Sequence, residues 1–409
     1  MRISSSTGLR SVLFLSLLCL FFCQFPKPQA QAQCVIEGKI EVHPDWQSKV
    51  FLVQPGYFKQ IASSYEGKLI DSCTIDANGQ FKLTFTPAQP EPALYGLYVQ
   101  KNGSKYVNRV EFLPHQTNFI LLELQGNDHV SIEAPIEHFN WKYRFTTETT
   151  PANQALEHLR DVFLPFYERA KEEAEKEDPE SKEIQYAHDH NDSLSIATWD
   201  ALERWIDTCQ RTLPALAGVR LHSSDNSYFR NPELFVRLRD RLLAQTPVHP
   251  FAQEYASYCS SERLPLIKGE RIPEFNLPDQ DSTFHTPDAL RGQLILLDFW
   301  ASWCAPCRKE IREVLQPLHI QYADKGFQIV GFSIDSSKPN WLKAIERDKA
   351  HWLQLCDLEG DSSPIRESLK FQMIPANYLL DSEGRLLARN VHGEELEQIV
   401  RDFFDAGGE

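Results

Sequence analysis

Beyond residue 32 the sequence has no apolar run approaching the roughly 20 residues that a bilayer-spanning helix needs. It also lacks a basic stripe. Acidic residues outnumber basic ones, 57 to 42, which argues against nucleic acid and anionic membrane surfaces as partners. Nine cysteines are present, yet there is no second Cys-x-x-Cys and no Cys-x-x-His at finger spacing. A structural zinc ion, which takes four ligands, is therefore short of them, and no metal is expected.

What is present starts with export. Arg2 and Arg10 precede the apolar run Val12–Cys23, and a polar stretch ends in "PQAQAQC" with Ala30-Gln31-Ala32. A basic start, a short apolar run and a small-x-small end read as a secretory signal peptide over residues 1–32. The run is too short to span, so an uncleaved membrane anchor is the lesser alternative. Gln33 does not suit the position before a lipidated Cys34. The expected location is the periplasm or cell envelope, soluble after cleavage. Cleavage would remove Arg2, Arg10 and Lys27 and no acid, taking the formal charge from -15 to -18.

Export permits disulfides. With Cys19 and Cys23 removed, seven cysteines remain, an odd number that leaves at least one free or paired between molecules. Cys34 with Cys73, and Cys209 with Cys259, stand as possible structural pairs. Cys356, in the strand-like "WLQLCD", reads as a buried structural thiol, with a further redox role as the sharper alternative.

The roughly 375 residues left suggest two or three domains. Residues 33–140 carry eight short strand-like runs, among them "CVIEGKIEV", "KVFLVQ", "YVNRVEFLP" and "NFILLEL". Turn signals such as "ANGQ" and "QGND" separate several of them. They predict an antiparallel β-sandwich of unknown role. Residues 141–262 turn to helical periodicity and form a connecting segment. The mixed-charge run "ERAKEEAEKEDPESKE" reads as a solvated helix face, and His188, His190 and Asp192 as solvated loop residues. From 263 to 409 strands and helices alternate and then close with the hairpin "ANYLLDSEGRLLARN", which predicts an α/β domain with a mixed sheet.

Within that last domain "FWASWCAPCRKE" places Cys304 and Cys307 three apart, directly after the buried strand "QLILLDFW" and at the start of a helix. Residues so spaced share a helix face, close enough for their sulfurs to bond. Unsatisfied N–H groups and the helix dipole favour a thiolate there. Cys304, the more N-terminal, reads as the nucleophile and Cys307 as the resolving thiol. Arg308 and Lys309 read chiefly as surface basics.

The stretch "LLDFWASWCAPCRKE" resembles the active-site run of thioredoxin-fold proteins. From Gly269 to about Phe404 the chain is similar to the exported thiol-disulfide oxidoreductases of the TlpA/ResA type, in "GERIPEFNLPD" and in "MIPANYLLDSEGRLLAR" as well. The resemblance covers about a third of the chain. It implies that Pro375 is a cis-proline lying against the two sulfurs and that the backbone of Ile374 bonds an extended substrate segment. It implies that Asp298 is a buried acid relaying a proton to or from Cys307, the alternative being a strand-end Asp facing solvent. Trp303 would offer a contact surface, and Trp300 reads as core. The chain departs from many relatives in having Ala305-Pro306 between the cysteines. It also has Arg312 where a helix proline often stands, with Pro317 later, so the helix irregularity is expected there.

The expected activity is thiol-disulfide exchange on protein disulfides, reductive in direction, with no cofactor beyond the Cys304–Cys307 pair and with a membrane-embedded electron donor. Cytochrome c maturation is the process the family suggests. Two rivals stay open. One is an oxidase or isomerase; the other is a partner-binding module whose redox pair only senses or locks the contact. A peroxidase would need a different setting for its cysteine.

Overall fold

The computed structural model describes residues 32–110, 118–176, 193–223, 228–371 and 373–405. Apart from its last residue, the signal-peptide segment lies outside them, as do His188, His190 and Asp192. Among the described residues no helix is long and apolar enough to cross a membrane.

The first eight strands are β1 (Cys34–Glu41), β2 (Lys49–Gln54), β3 (Lys68–Thr74), β4 (Gln80–Phe85), β5 (Ala93–Tyr98), β6 (Phe119–Leu124), β7 (His129–Pro135) and β8 (Arg144–Phe145). They form two sheets, ordered β4-β1-β7-β8 and β3-β2-β5-β6. Alternation aims Phe81, Leu83 and Phe85 of β4 inward. Ile36, Leu83 and Ile132 of one sheet and Leu52, Leu97 and Ile120 of the other share one apolar core, so the sheets face each other.

Two expectations need correction. The first sheet is not antiparallel throughout, because β1 and β7 run parallel. The connection after β6 crosses between the sheets and enters beside β1 in the same direction. In "YVNRVEFLP", Tyr106–Val110 form no strand, and the rest of that run lies outside the described residues. The sheet also takes in β8, which pairs with β7 antiparallel.

Five helices follow: α1 (Pro151–Lys176), α2 (Ser193–Thr208), α3 (Thr212–His222), α4 (Pro232–Leu243) and α5 (Pro250–Tyr258). Their apolar stripes pack on the outer face of the second sheet, where Phe51, Val53 and Leu121 meet Leu156, Leu202, Leu216 and Tyr255. This explains why β2 is buried on both faces. Asn153 of α1 brackets β6: its amide donates to the Glu123 carbonyl and accepts from the Glu123 N–H, at 3.1 and 2.8 Å. The sheet edge is closed by that pair of bonds.

The C-terminal part contains β9 (Leu277–Pro278), β10 (Phe284–His285), β11 (Leu294–Trp300), α6 (Ala305–Glu310), a π-helical turn (Ile311–Leu315) and α7 (Gln316–Tyr322). After these come β12 (Phe327–Ser333), α8 (Lys338–Asp348), β13 (Leu353–Leu355), α9 (Pro364–Leu369), β14 (Ala376–Asp381), β15 (Leu386–Arg389) and α10 (Gly393–Asp405). Five strands make one mixed sheet, β13-β12-β11-β14-β15, with β11 parallel to β12 and antiparallel to β14. All seven residues of β11 are buried, as a strand covered on both faces requires. The lead-in segment closes both edges. Leu386 N donates to Glu270 O at 2.8 Å on one side, and Cys356 N to Pro278 O at 3.0 Å on the other.

The wide turn at Ile311–Leu315 ends two residues before Pro317. A proline has no N–H to give back to residue 313, and its ring crowds that carbonyl, so the helix opens before it.

Candidate active site

The disulfide loop is held from three sides. Trp300, the last residue of β11, is fully buried, and its Nε1–H donates to Gln354 Oε1 at 3.0 Å. Ser302 donates through its backbone N–H and its hydroxyl to the buried Asp335 carboxylate, at 2.8 and 2.6 Å, and Ser333 donates to the same carboxylate. The Cys304 N–H closes the turn on the Ala301 carbonyl at 3.1 Å. Asp335 and Gln354 are site-supporting residues that the sequence reading missed. Nothing local marks them, because their partners are 33 and 54 residues away.

Cys304 and Cys307 are joined, with an S–S distance of 2.00 Å and Cα atoms 5.3 Å apart. Cys304 is the N-cap of α6, and its sulfur accepts the Cys307 N–H at 3.2 Å. Pro306 falls in the first turn, where a missing N–H costs no helix bond. Cys304 is 5% exposed and Cys307 1%, so the two sulfurs differ in access. The neighbouring Trp303 is 63% exposed and turns an indole to solvent.

The peptide bond Ile374–Pro375 is cis. Phe299 pairs with Ala376 across β11 and β14, so Pro375 lies level with Trp300 at the end of the sheet where the disulfide loop starts. Ile374 packs partly on the core while Met373 is 74% exposed. No hydrogen bond within the described residues engages Ile374.

Asp298 lies in mid-β11, opposite Gly331 and Asn377. It is buried, and its Oδ2 has no hydrogen-bond partner among the described residues. Burial first, then the charge of Glu310, pushes its carboxyl up to about 8. Burial also acts on Glu310, but hydrogen bonds from His392 and from the Gly393 N–H outweigh it and hold that carboxyl below the usual range. The sequence reading gave Glu310, Asn377 and His392 no role. Glu310 lies inside the quoted motif, three residues after Cys307, and a carboxylate at that spacing was the available signal.

Arg308 corrects another expectation. It is mostly buried, and with Arg312 it grips the Asp348 carboxylate of α8. Lys309 alone behaves as a surface basic, exposed and 3.7 Å from Glu313.

The proposed structural disulfides are absent: Cys34, Cys73, Cys209, Cys259 and Cys356 are all free. Cys34 and Cys73 belong to different sheets, and the Cys34 thiol donates to the Gln125 carbonyl instead. Cys209 follows α2, with its thiol 3.7 Å from the Arg211 carbonyl, while Cys259 caps α5. Cys356 is buried, its thiol 3.5 Å from the Asp335 carbonyl, and burial raises it.

A model of the AhpC/TSA family matches residues 268–389. The thiol:disulfide interchange protein DsbE of Allochromatium vinosum is 35% identical over 146 residues, which cover 76% of its length and 33% of this chain. The chain belongs to the thiol-disulfide oxidoreductases. The thiol-disulfide oxidoreductase ResA of Bacillus cereus is 23% identical over 149 residues, 83% of its length and 36% of this chain. Among solved structures, a thiol-disulfide oxidoreductase from Bacteroides fragilis is 34% identical, with 99% of that chain and 33% of this one covered and a TM-score of 0.31. The family match puts the thioredoxin-like domain of this oxidoreductase in its C-terminal third, which folds around the mixed sheet. The span matched by the family model starts at residue 268, so the two sheets and five helices before it lie outside that match.

Proposed function

We propose that this oxidoreductase reduces protein disulfides in the bacterial cell envelope through Cys304 and Cys307. The observation that carries the reading is the joined pair at the start of α6, with a buried carboxyl, Asp298, on the strand that leads into it, whose Oδ2 has no hydrogen-bond partner among the described residues. In the reduced enzyme the Cys304 thiolate attacks a substrate disulfide. A new S–S bond forms, the substrate's own bond breaks, and the first leaving thiolate takes a proton. Asp298 then accepts the Cys307 proton, and the Cys307 thiolate attacks the Cys304 sulfur. The second substrate thiolate leaves and is protonated. Two electrons have passed to the substrate, and the pair is left as the disulfide seen here.

Trp303 offers a flat contact, and Ile374 with cis-Pro375 offers a free backbone edge for an extended substrate. With Pro306 immediately before the second cysteine, the motif resembles that of reducing thioredoxins more than that of strong oxidants, which supports the reductive direction. The pair must be recharged by a dithiol donor, and a membrane-embedded one fits an oxidising compartment. The cysteines need no further cofactor.

The test is the equilibrium reduction potential of Cys304–Cys307. A value near ~-270 mV or lower supports a reductase, whereas one near ~-120 mV makes the protein an oxidant and overturns the direction. A C304S variant that still captures a partner with unchanged affinity and consequence would favour a binding module.

A further inference from the structure

Four polar residues from four segments meet between β11, β14 and the ends of α6 and α10. Glu310 Oε1 accepts the Gly393 N–H at 3.0 Å and is 3.5 Å from His392 Nδ1. The same His392 nitrogen is 3.3 Å from Asn377 Nδ2. Asn377 is held by Val391, donating to its carbonyl at 2.6 Å and accepting its N–H at 3.0 Å, and in the strand register it stands opposite Asp298. Asn377 and Asp298 are buried, Glu310 is largely so, and the His392 side chain is 32% exposed.

His392 Nδ1 therefore has two neighbours that make opposite demands. The Asn377 amide nitrogen can only donate, and the Glu310 carboxylate can only accept. A neutral imidazole with its proton on Nε2 takes the Asn377 hydrogen bond. An imidazolium donates Nδ1–H to Glu310. We propose that His392 is a positioning residue for the exchange step, dividing its Nδ1 between Asn377 and Glu310 and so setting how much of the Glu310 charge Asp298 feels. The proposal rests on the exchange reading given above.

The direction follows from charge. As imidazolium, His392 offsets Glu310, and Asp298 ionises more readily and accepts the Cys307 proton. As neutral imidazole, it leaves Glu310 fully anionic, and Asp298 keeps its proton. The charged groups around this ring are few. Glu310 faces it from α6, Asp298 faces Glu310 from β11, the uncharged Asn377 closes it from β14, and Glu394 and Glu395 stand in the first turn of α10. Arg308 and Lys309, beside Glu310 in sequence, are engaged with Asp348 and Glu313.

The test mixes the reduced full chain with oxidised glutathione and follows the single-turnover formation of the Cys304–Cys307 disulfide across pH. H392Q, which carries no charge, should move the rising limb to higher pH and be slower than wild type at neutral pH. H392K, permanently charged, should move it to lower pH and be faster. In an E310Q background the two should coincide. A role confined to packing gives no opposite shifts. Limbs that move together, or that overlay the wild type while exchange persists, overturn the proposal, and H392N replaces H392Q if the latter does not fold. If the wild type exchanges with oxidised glutathione at no pH, the exchange reading itself fails.

Discussion

Asp298 sits on the strand that leads into the disulfide motif and Glu310 at the end of the helix that leaves it, and the Glu310 charge acts on the Asp298 carboxyl. The Glu310 charge adds to burial in keeping a proton on Asp298, whose carboxyl reaches about 8.

The pair has a consequence for stability. In the unfolded chain Asp298 ionises near ~3.9. From about pH 4 to about pH 8 the native state keeps a proton that the unfolded state gives up, so stability is lost as pH rises through that window and levels off above it. Asp298→Asn removes the loss. The variant should match wild type below about pH 4 and exceed it above about pH 8, by something on the order of a few kcal/mol. Denaturant unfolding of the oxidised chain at acid and alkaline pH measures this, and equal wild-type and variant curves at alkaline pH would show that the carboxyl is not buried. The same variant cannot take the Cys307 proton, so exchange should slow by roughly 10²-fold.

The site was legible in sequence wherever the signal was local. A continuous apolar strand, a Cys-x-x-Cys at its end and a helical run after it fix a corner that brings two sulfurs together, and Pro317 places the wide turn of the helix. Contacts between distant segments were not legible. Glu310 needs Gly393 and His392, Ser302 needs Asp335, and Arg308 looked like a surface charge because Asp348 lies 40 residues on. The parallel pairing of β1 with β7 was hidden for a related reason. Alternation reports which face is buried, and it is silent on which neighbour a strand takes.

The cysteines supply a second prediction. Compartment and number made structural disulfides plausible, yet Cys34, Cys73, Cys209, Cys259 and Cys356 are all unpaired. A chain lacking residues 1–32, oxidised at Cys304–Cys307 and then denatured with no reductant present, should show five reactive thiols. Three would mean that one of the proposed pairs forms after all, and thiol titration with an aromatic disulfide reads the difference directly.

The last prediction concerns how the helices hold the thioredoxin-like domain. Glu233, in the first turn of α4, pairs with Arg389 at the end of β15, and both side chains are largely buried. The other Glu233 oxygen accepts the Lys268 N–H at 2.9 Å, and Arg389 also donates to the Leu266 carbonyl at 2.6 Å. The connecting segment is therefore clamped between the two partners, and Lys370, at the end of α9, donates to the Ser261 carbonyl beside it. Arg389→Ala leaves a buried carboxylate short of its counter-charge and frees one backbone carbonyl, a cost of roughly 2–4 kcal/mol. Since Leu386 still pairs with Glu270, the sheet should persist and the loss should fall on the clamp. Trypsin should then cut faster at Arg263 and Lys268, while the potential of the Cys304–Cys307 pair stays unchanged. Digestion at the wild-type rate would mean that the apolar packing of the helices, and not this ion pair, fixes the domain in place.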